Sequence, residues 1–324
     1  MSDFNLSVFD PSAHLNDCVK LWNSYVESGE VVFKPVSEGV FTAMFLSGHS
    51  YKTVNLVTSD KKGLAAFASG NFVPGAAVAY ISYVGVRRDL RGKGAADGIL
   101  KELEQRLAGE NPALEKIELV FFNPCQLPWY IPSAAPHDHP GTPGVDMESA
   151  AYPFFKRNGY SVYAQQNGYY LPLADYKRSD AVAEGIKGLE EMGIEICYYN
   201  KDRHFGFSEF FDNIQNEGWR AAVMPNLDKD IVIAADGGRV VGYTGPLSVS
   251  ESGRGMFSGI GVHTEYRRHG IGNLLFATLC LGLSEKGARF MSLFTGTTNP
   301  ARRIYEGAGF KIVRGFADMR KTLK

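Results

Sequence analysis

Long apolar runs are missing from this chain of 324 residues, and no stretch has the length and apolarity needed to span a bilayer. The first residues, Met1-Ser2-Asp3-Phe4-Asn5, offer neither a basic start nor an apolar run, so no secretory leader is expected. Cysteine is sparse and scattered: Cys18, Cys125, Cys197 and Cys280 make no CxxC pair and no His-flanked metal pattern. They read as reduced thiols of a cytoplasmic protein, and no metal is expected. Charge of one sign is lacking too. Lys and Arg number 34 against 35 Asp and Glu, a formal net charge of −1, whereas a general nucleic-acid binder carries a basic surplus. Neither nucleic acid nor a membrane is therefore an expected partner. What remains, 44% hydrophobic and 21% charged, is a globular composition, and the length suits two domains that each bury a core.

The chain repeats itself. Arg91-Gly92-Lys93-Gly94-Ala95-Ala96 recurs as Arg267-Arg268-His269-Gly270-Ile271-Gly272, a shift of 176 (267 − 91), and Asn123-Pro124 recurs as Asn299-Pro300 at the same shift. Upstream, Leu56 to Asp60 faces Val232 to Asp236 and Leu64 to Phe67 faces Val240 to Tyr243, so each copy reads as strand, polar turn, strand. Asp236-Gly237-Gly238 is a strong hairpin turn because glycine accepts positive φ. A third strand is expected over 80–86 and 256–262, then the repeated turn, then an amphipathic helix. Its apolar face is Ala96, Ile99, Leu100, Leu103 and Leu107 in one copy and Ile271, Leu274, Leu275 and Leu279 in the other. A further strand closes each copy, over 117–122 and 290–298. Ala151 to Tyr160 then matches Ala301 to Phe310 at a shift of 150, so the first copy carries about 26 extra residues (176 − 150), roughly 125–150. This Pro-rich insert, with Trp129, Tyr130, His137 and His139, reads as an ordered, helix-poor loop. It either covers surface or shapes an acceptor pocket; His137-x-His139 has no third metal ligand at recognisable spacing. A helix over 179–192 leads to the first strand of copy two, 194–199. The fold class is mixed α/β: two tandem domains, 1–175 and 176–324, each a twisted mixed sheet flanked by helices.

A glycine-rich turn between strand and helix leaves the first helical N–H groups pointing outward. With the helix dipole these favour an anion, and consecutive amides can wrap a phosphate. Gly94 and Gly270 remove the Cβ that blocks close approach, and Arg91, Lys93, Arg267, Arg268 and His269 place polar or positive groups nearby.

These motifs resemble the GNAT (GCN5-related) N-acetyltransferase family, over most of the chain and more strongly in copy two: Gly261-Val262-His263, Arg267-x-x-Gly270-Ile271-Gly272, Asn299, Ala301, Tyr305 and Gly309-Phe310. The resemblance implies acetyl-CoA as co-substrate. Its pyrophosphate would lie on the turns (Arg91, Gly92, Lys93, Gly94, Ala95, Ala96; Arg267, Arg268, His269, Gly270, Ile271, Gly272). Its pantetheine arm would lie along the backbone at Val86 and at Val262-His263, near Asn123 and Asn299. Tyr305 would protonate the departing thiolate, and a tyrosine hydroxyl, neutral at pH 7, suits that task.

Copy one has Phe155 where copy two has Tyr305, so the N-terminal domain is expected to be degenerate and the C-terminal one catalytic. No glutamate stands on the strand before the second turn; His263, or one of Glu209, Asp212 and Glu217 in a helical segment lining the acceptor side, is the candidate base, and a water relay is the alternative. Arg302 and Arg303 open a helix after Asn299 and are candidate contacts for the cofactor's phosphates. The implied activity is acetyl transfer to a primary amine of a small molecule. The alternatives are a protein N-terminus or lysine as acceptor, and an acyl-CoA-binding module without turnover. The tandem layout also resembles mycothiol synthase, whereas transfer of an aminoacyl group from tRNA fits poorly with the missing basic surface.

Overall fold

The computed structural model describes residues 4–121, 123–133 and 136–323. Phe122, the expected end of one strand, Ala134 and Ala135 within the insert, and Met1 to Asp3 lie outside the described residues. The first copy runs β1 (Asn5–Val8), α1 (Pro11–Glu27), α2 (Glu38–Phe45), β2 (Lys52–Asp60), β3 (Gly63–Phe72), β4 (Val78–Val86), α3 (Ala95–Glu110), β5 (Lys116–Leu119), β6 (Val145–Asp146), α4 (Ala151–Arg157) and β7 (Ser161–Pro172). The second runs α5 (Asp180–Glu191), β8 (Ile194–Tyr198), α6 (Phe207–Ile214), α7 (Glu217–Val223), β9 (Val232–Asp236), β10 (Arg239–Thr244), β11 (Ser248–Val249), β12 (Gly255–Met256), β13 (Ile260–Val262), α8 (Ile271–Glu285), β14 (Phe290–Gly296), α9 (Arg302–Gly307) and β15 (Lys311–Thr322).

The repeat survives to the level of hydrogen-bond register. Ala66 opposes Val86 and Gly242 opposes Val262; Phe67 opposes Gly85 and Tyr243 opposes Gly261, each pair displaced by 176 (242 − 66 and 262 − 86). Both hairpins carry a register shift that leaves one residue without an opposite number, Ala65 in β3 and Val241 in β10 (241 − 65 = 176). The two-residue turn Gly237-Gly238 has φ of +54° and +87°, which only glycine adopts without strain.

Packing divides the chain differently from the sequence repeat. Among the described residues, one compact unit holds 4–121, 123–132, 136–167 and 314–323; the other holds 133 and 168–313. In the first, strands run in the order β1-β2-β3-β4-β5-β15-β7, with β6 added beside β15. The end of the second copy thus completes the sheet of the first: Met319 opposes Leu119 and Thr322 opposes Lys116. Residues from 168 on, the end of β7, lie in the second unit. Period-two alternation builds the layers. Val54 and Leu56 face Ile99, Leu103 and Leu107 of α3, while Val57 and Phe67 face Trp22, Phe41 and Phe45 of α1 and α2. In the second unit β13-β10-β9-β8 form the antiparallel sheet; Val232, Ala234 and Val241 meet α8, and Ile233, Ala235 and Tyr243 meet Phe207, Phe210 and Phe211 of α6.

Copy one's third strand is continuous, whereas copy two's is broken into β12 and β13. Gly259 sits at the break with φ of +145°, and a Cβ there would stand 2.8 Å from both the Trp219 indole and the Tyr243 hydroxyl. The Gly259 carbonyl meanwhile accepts from Thr244 Oγ1 at 3.1 Å. Gly259→Ala is expected to destabilise the C-terminal unit by about 2–3 kcal/mol through backbone strain and steric overlap. Differential scanning calorimetry checks this, and an unchanged melt would mean that the break relaxes freely.

Candidate cofactor and catalytic sites

Each repeated turn is built alike. A single 3₁₀ turn, Arg88–Leu90 or Thr264–Tyr266, precedes it, and a glycine in left-handed conformation starts the helix: Gly94 at φ +84° for α3 and Gly270 at φ +76° for α8. Two residues earlier the backbone is again left-handed, at Gly92 (+71°) and at Arg268 (+72°). A non-glycine residue held there costs roughly 1–2 kcal/mol, strain of the kind kept at functional turns. Neither helix start has a side-chain cap, so the first N–H groups open outward, and a Cβ at Gly94 or Gly270 would stand in open space. Gly272 serves packing: a Cβ there would lie 3.2 Å from Ile304 of α9.

Aspartates at equivalent positions brace the residues ahead of each turn. Asp60 takes Arg87 in a two-pronged ion pair, and Asp236 accepts from Tyr266 Oη at 2.6 Å. The first interaction holds the Asp60 carboxyl below its ordinary range, the second pushes the Tyr266 phenol up. These bracing residues escaped sequence reading, although Asp60 and Asp236 obey the same 176 shift.

Beyond the turns the sheets splay. β4 pairs in parallel with β5 only from Val78 to Tyr80 and then runs on to Val86 with β3 as its remaining partner; in copy two Arg254 bridges Phe290 in parallel, while β13 pairs with β10. Arg87 N–H donates to Ala65 and His263 N–H to Val241. By antiparallel alternation the preceding residues, Val86 and Val262, direct their N–H and C=O away from the hairpin and into the splay.

In the C-terminal unit three of the expected site residues, Val262, Ile271 and Tyr305, share one apolar cluster with Tyr266, Phe276 and Ile304. The Tyr305 ring lies 5.1 Å from that of Phe276 and 6.2 Å from those of Tyr169 and Phe310. Burial, then neighbouring Tyr169, raises its pKa above the ordinary phenol value. Tyr169 in turn donates from Oη to Glu306 of α9 at 3.0 Å, a positioning contact that sequence reading missed. Asn299 lies exposed at the start of α9 with its Oδ1 accepting from Ala301 N–H. Arg267, Arg268 and His269 are exposed, and Arg267 Nε donates to the Val262 carbonyl at 3.2 Å. Among the candidate bases, His263 is buried and its Nδ1 accepts from Glu265 N–H at 3.4 Å. Glu209, Asp212 and Glu217 are exposed, the last two paired with Arg220. Arg302 and Arg303 do open α9, and Arg302 lies 4.0 Å from Glu306.

The N-terminal unit differs at each of these points. It holds a cleft of about 490 Å³ between β4 and the 142–146 segment, with Arg91, Gly92 and Ala96 of the turn on its wall. Lys93 and Gly94 are exposed and Ala95 is buried under the turn. Phe155 is buried against Phe154 and Tyr160. Asn123 is 2% exposed and tied down: Oδ1 accepts from Asn71 Nδ2 and Cys125 N–H, while Nδ2 donates to Ser82 and to the Ile81 carbonyl. Asn123 thus clasps strand and loop together. The insert contains no helix among its described residues, as its composition suggests. Trp129 and His137 are buried beneath it; Thr142 to Asp146 reach the cleft instead, and Asp146 is pushed up by its own burial.

One further cluster of ligating atoms comes together on β8 and the loop after it, Glu195, Cys197 and His204. His204 Nδ1 accepts from Asn200 N–H at 2.9 Å, which puts the ring proton on Nε2, facing Cys197 Sγ at 3.6 Å. That nitrogen therefore has no lone pair to offer a cation. Burial also lowers the His204 pKa and pushes the Cys197 thiol up to about 11.

The description "Acetyltransferase (GNAT) family" matches residues 19–127 and "Acetyltransferase (GNAT) domain" matches 228–312. The chain belongs to the GNAT acetyltransferases. Within them it is a tandem two-domain member, an acetyl-CoA-dependent acyltransferase. No curated protein matches it in sequence. Among solved structures it resembles the GCN5-related glucosamine N-acetyltransferase region of a fungal multi-domain GH3 β-N-acetylglucosaminidase (TM-score 0.62, 16% identity), covering 99% of this chain but only 38% of that one. It also resembles a GCN5-related N-acetyltransferase from Sphaerobacter thermophilus (0.56, 15%, 99% and 96%). A third is a tandem GNAT protein from the clavulanic acid biosynthesis pathway (0.56, 14%, 98% of both chains). At these identities the likeness concerns the fold.

Proposed function

We propose that the C-terminal unit moves the acetyl group of acetyl-CoA to a primary amine of a small molecule by direct attack. The observation carrying this reading is Tyr305: a packed phenol with a raised pKa, on the helix that adjoins the second turn. The amine nitrogen attacks the thioester carbonyl, the C–S bond breaks, and the thiolate takes its proton from the Tyr305 hydroxyl. The ammonium proton leaves to water or to a side chain of the acceptor side. Open amides at the start of α8 and the exposed Arg267, Arg268 and His269 suit the pyrophosphate. The N-terminal unit, with Phe155 and a tied-down Asn123, is then degenerate.

The test is coenzyme A release from acetyl-CoA over a panel of small primary amines and of peptides. An amino sugar leads the panel because glucosamine is named for the fungal region. Amine-dependent release is expected. Release with peptides alone would move the acceptor to proteins, and binding without any release would leave an acyl-CoA-binding module.

A further inference from the structure

The end of α1 and the residues after it line the N-terminal cleft with the chain's own polar groups. Tyr25 Oη donates to the Val86 carbonyl at 2.5 Å and accepts from Val86 N–H at 3.2 Å. These are the two main-chain groups that the splay turns away from β3. A hydroxyl offers one donor and one acceptor, as a secondary amide does, so it completes the ladder as a ligand's amide would. Five residues on, Glu30 takes Arg91, the arginine of the turn, at 2.6 Å and Arg88 at 2.8 Å. The Arg91 guanidinium also lies over the Tyr25 ring, 4.9 Å from its centre. Arg91 beside it holds the Glu30 carboxyl below its ordinary range. The segment is fastened: Val32 accepts from Tyr130 N–H, Lys34 N–H donates to Pro128, and Phe33 bridges Trp129. In copy two the Val262 carbonyl meets only an exposed arginine side chain, Arg267, and no such clasp forms there among the described residues.

We propose that residues 25–30 are an autoinhibitory latch: Tyr25 stands in for a ligand amide on Val86, and Glu30 stands in for a phosphate on Arg91. The inference rests on the reading that the turns bind acetyl-CoA. An acyl-CoA enters the N-terminal cleft only by displacing both groups, so this site is weak or empty while the C-terminal one fills.

The full-length chain bearing Gly270→Glu, which disables the second turn, is titrated with coenzyme A before and after addition of Tyr25→Phe and Glu30→Gln. The added pair is expected to tighten binding at the remaining site at least tenfold, with partial gains from each single change. Unchanged or weaker affinity in the folded variant overturns the latch and leaves the C-terminal assignment standing, provided the wild type binds one equivalent. No binding in the wild type or in any variant overturns both. Hydrogen exchange on the wild type gives a readout independent of mutation. Faster exchange over 25–30 at saturating coenzyme A is expected, and protection of that segment contradicts displacement.

Discussion

Replacing Tyr305 by Phe is expected to lower kcat by about 10²- to 10³-fold, within the range for loss of a general acid, and to leave the Kd for acetyl-CoA within about twofold. In free energy this is about 3–4 kcal/mol of transition-state stabilisation. The substitution keeps the ring that packs on Phe276, Tyr169 and Phe310 and removes only the hydroxyl. Copy one shows that a phenylalanine is accepted in such a place, since Phe155 occupies it. The pH dependence separates this role from a packing role. Burial raises the Tyr305 pKa above the ordinary phenol value, so the phenol stays protonated across the neutral range and donates throughout it. Wild-type kcat should then show no falling limb from this group below about pH 10. The ascending limb, set by loss of a proton from the amine or its base, should persist in the variant at the same pH. A rise in KM with kcat unchanged would instead assign Tyr305 to uniform binding.

Much of this architecture is legible in the sequence because the repeat constrains it. A shift of 176 places Gly242 opposite Val262 once Ala66 is opposite Val86, and it carries even the unpaired Val241. Ser179 caps α5 and Gly237-Gly238 turns the hairpin for local reasons that need no tertiary context. Other features depend on partners far along the chain. Asn123 and Asn299 look alike in sequence, yet Asn123 is buried by Asn71, whose counterpart in copy two is Leu247 (247 − 71 = 176). With no polar partner at that position, Asn299 stays at the surface and accepts from Ala301 N–H in the turn ahead of α9. Trp219 and Tyr243 leave no room for a side chain at the break in the third strand, Gly259, and neither residue is its neighbour in sequence. β7 and β15 are both twelve-residue strands ending a copy, and their patterns do not say which sheet each completes. Tyr25 sits in a helix whose sequence reads as ordinary core and surface; only its contact with Val86, 61 positions on, gives it a role.

Gly270→Glu should weaken acetyl-CoA binding by at least about 100-fold, whereas Gly94→Glu should change the measured affinity by less than about threefold. Both glycines are left-handed helix starts and both have open space where a Cβ would stand, so the two substitutions carry similar backbone strain, roughly 1–2 kcal/mol. The fold is therefore penalised alike, and any difference between them comes from the ligand. At Gly270 the new carboxylate enters the ground where the outward amides of α8 and the exposed Arg267, Arg268 and His269 favour an anion, and it replaces phosphate with a fixed negative charge. At Gly94 the corresponding ground adjoins an arginine already paired with Glu30, beside a strand already capped by Tyr25, so little affinity is there to lose. Gly270→Ala separates the contributions: it imposes the strain and the close-approach penalty without the charge, and should cost about tenfold. Calorimetric titration of the three variants and the wild type reads all of this in one set of isotherms. Equal loss from Gly94→Glu and Gly270→Glu would mean that the two turns bind alike, which contradicts the latch and leaves the C-terminal assignment of the chemistry resting on Tyr305 against Phe155.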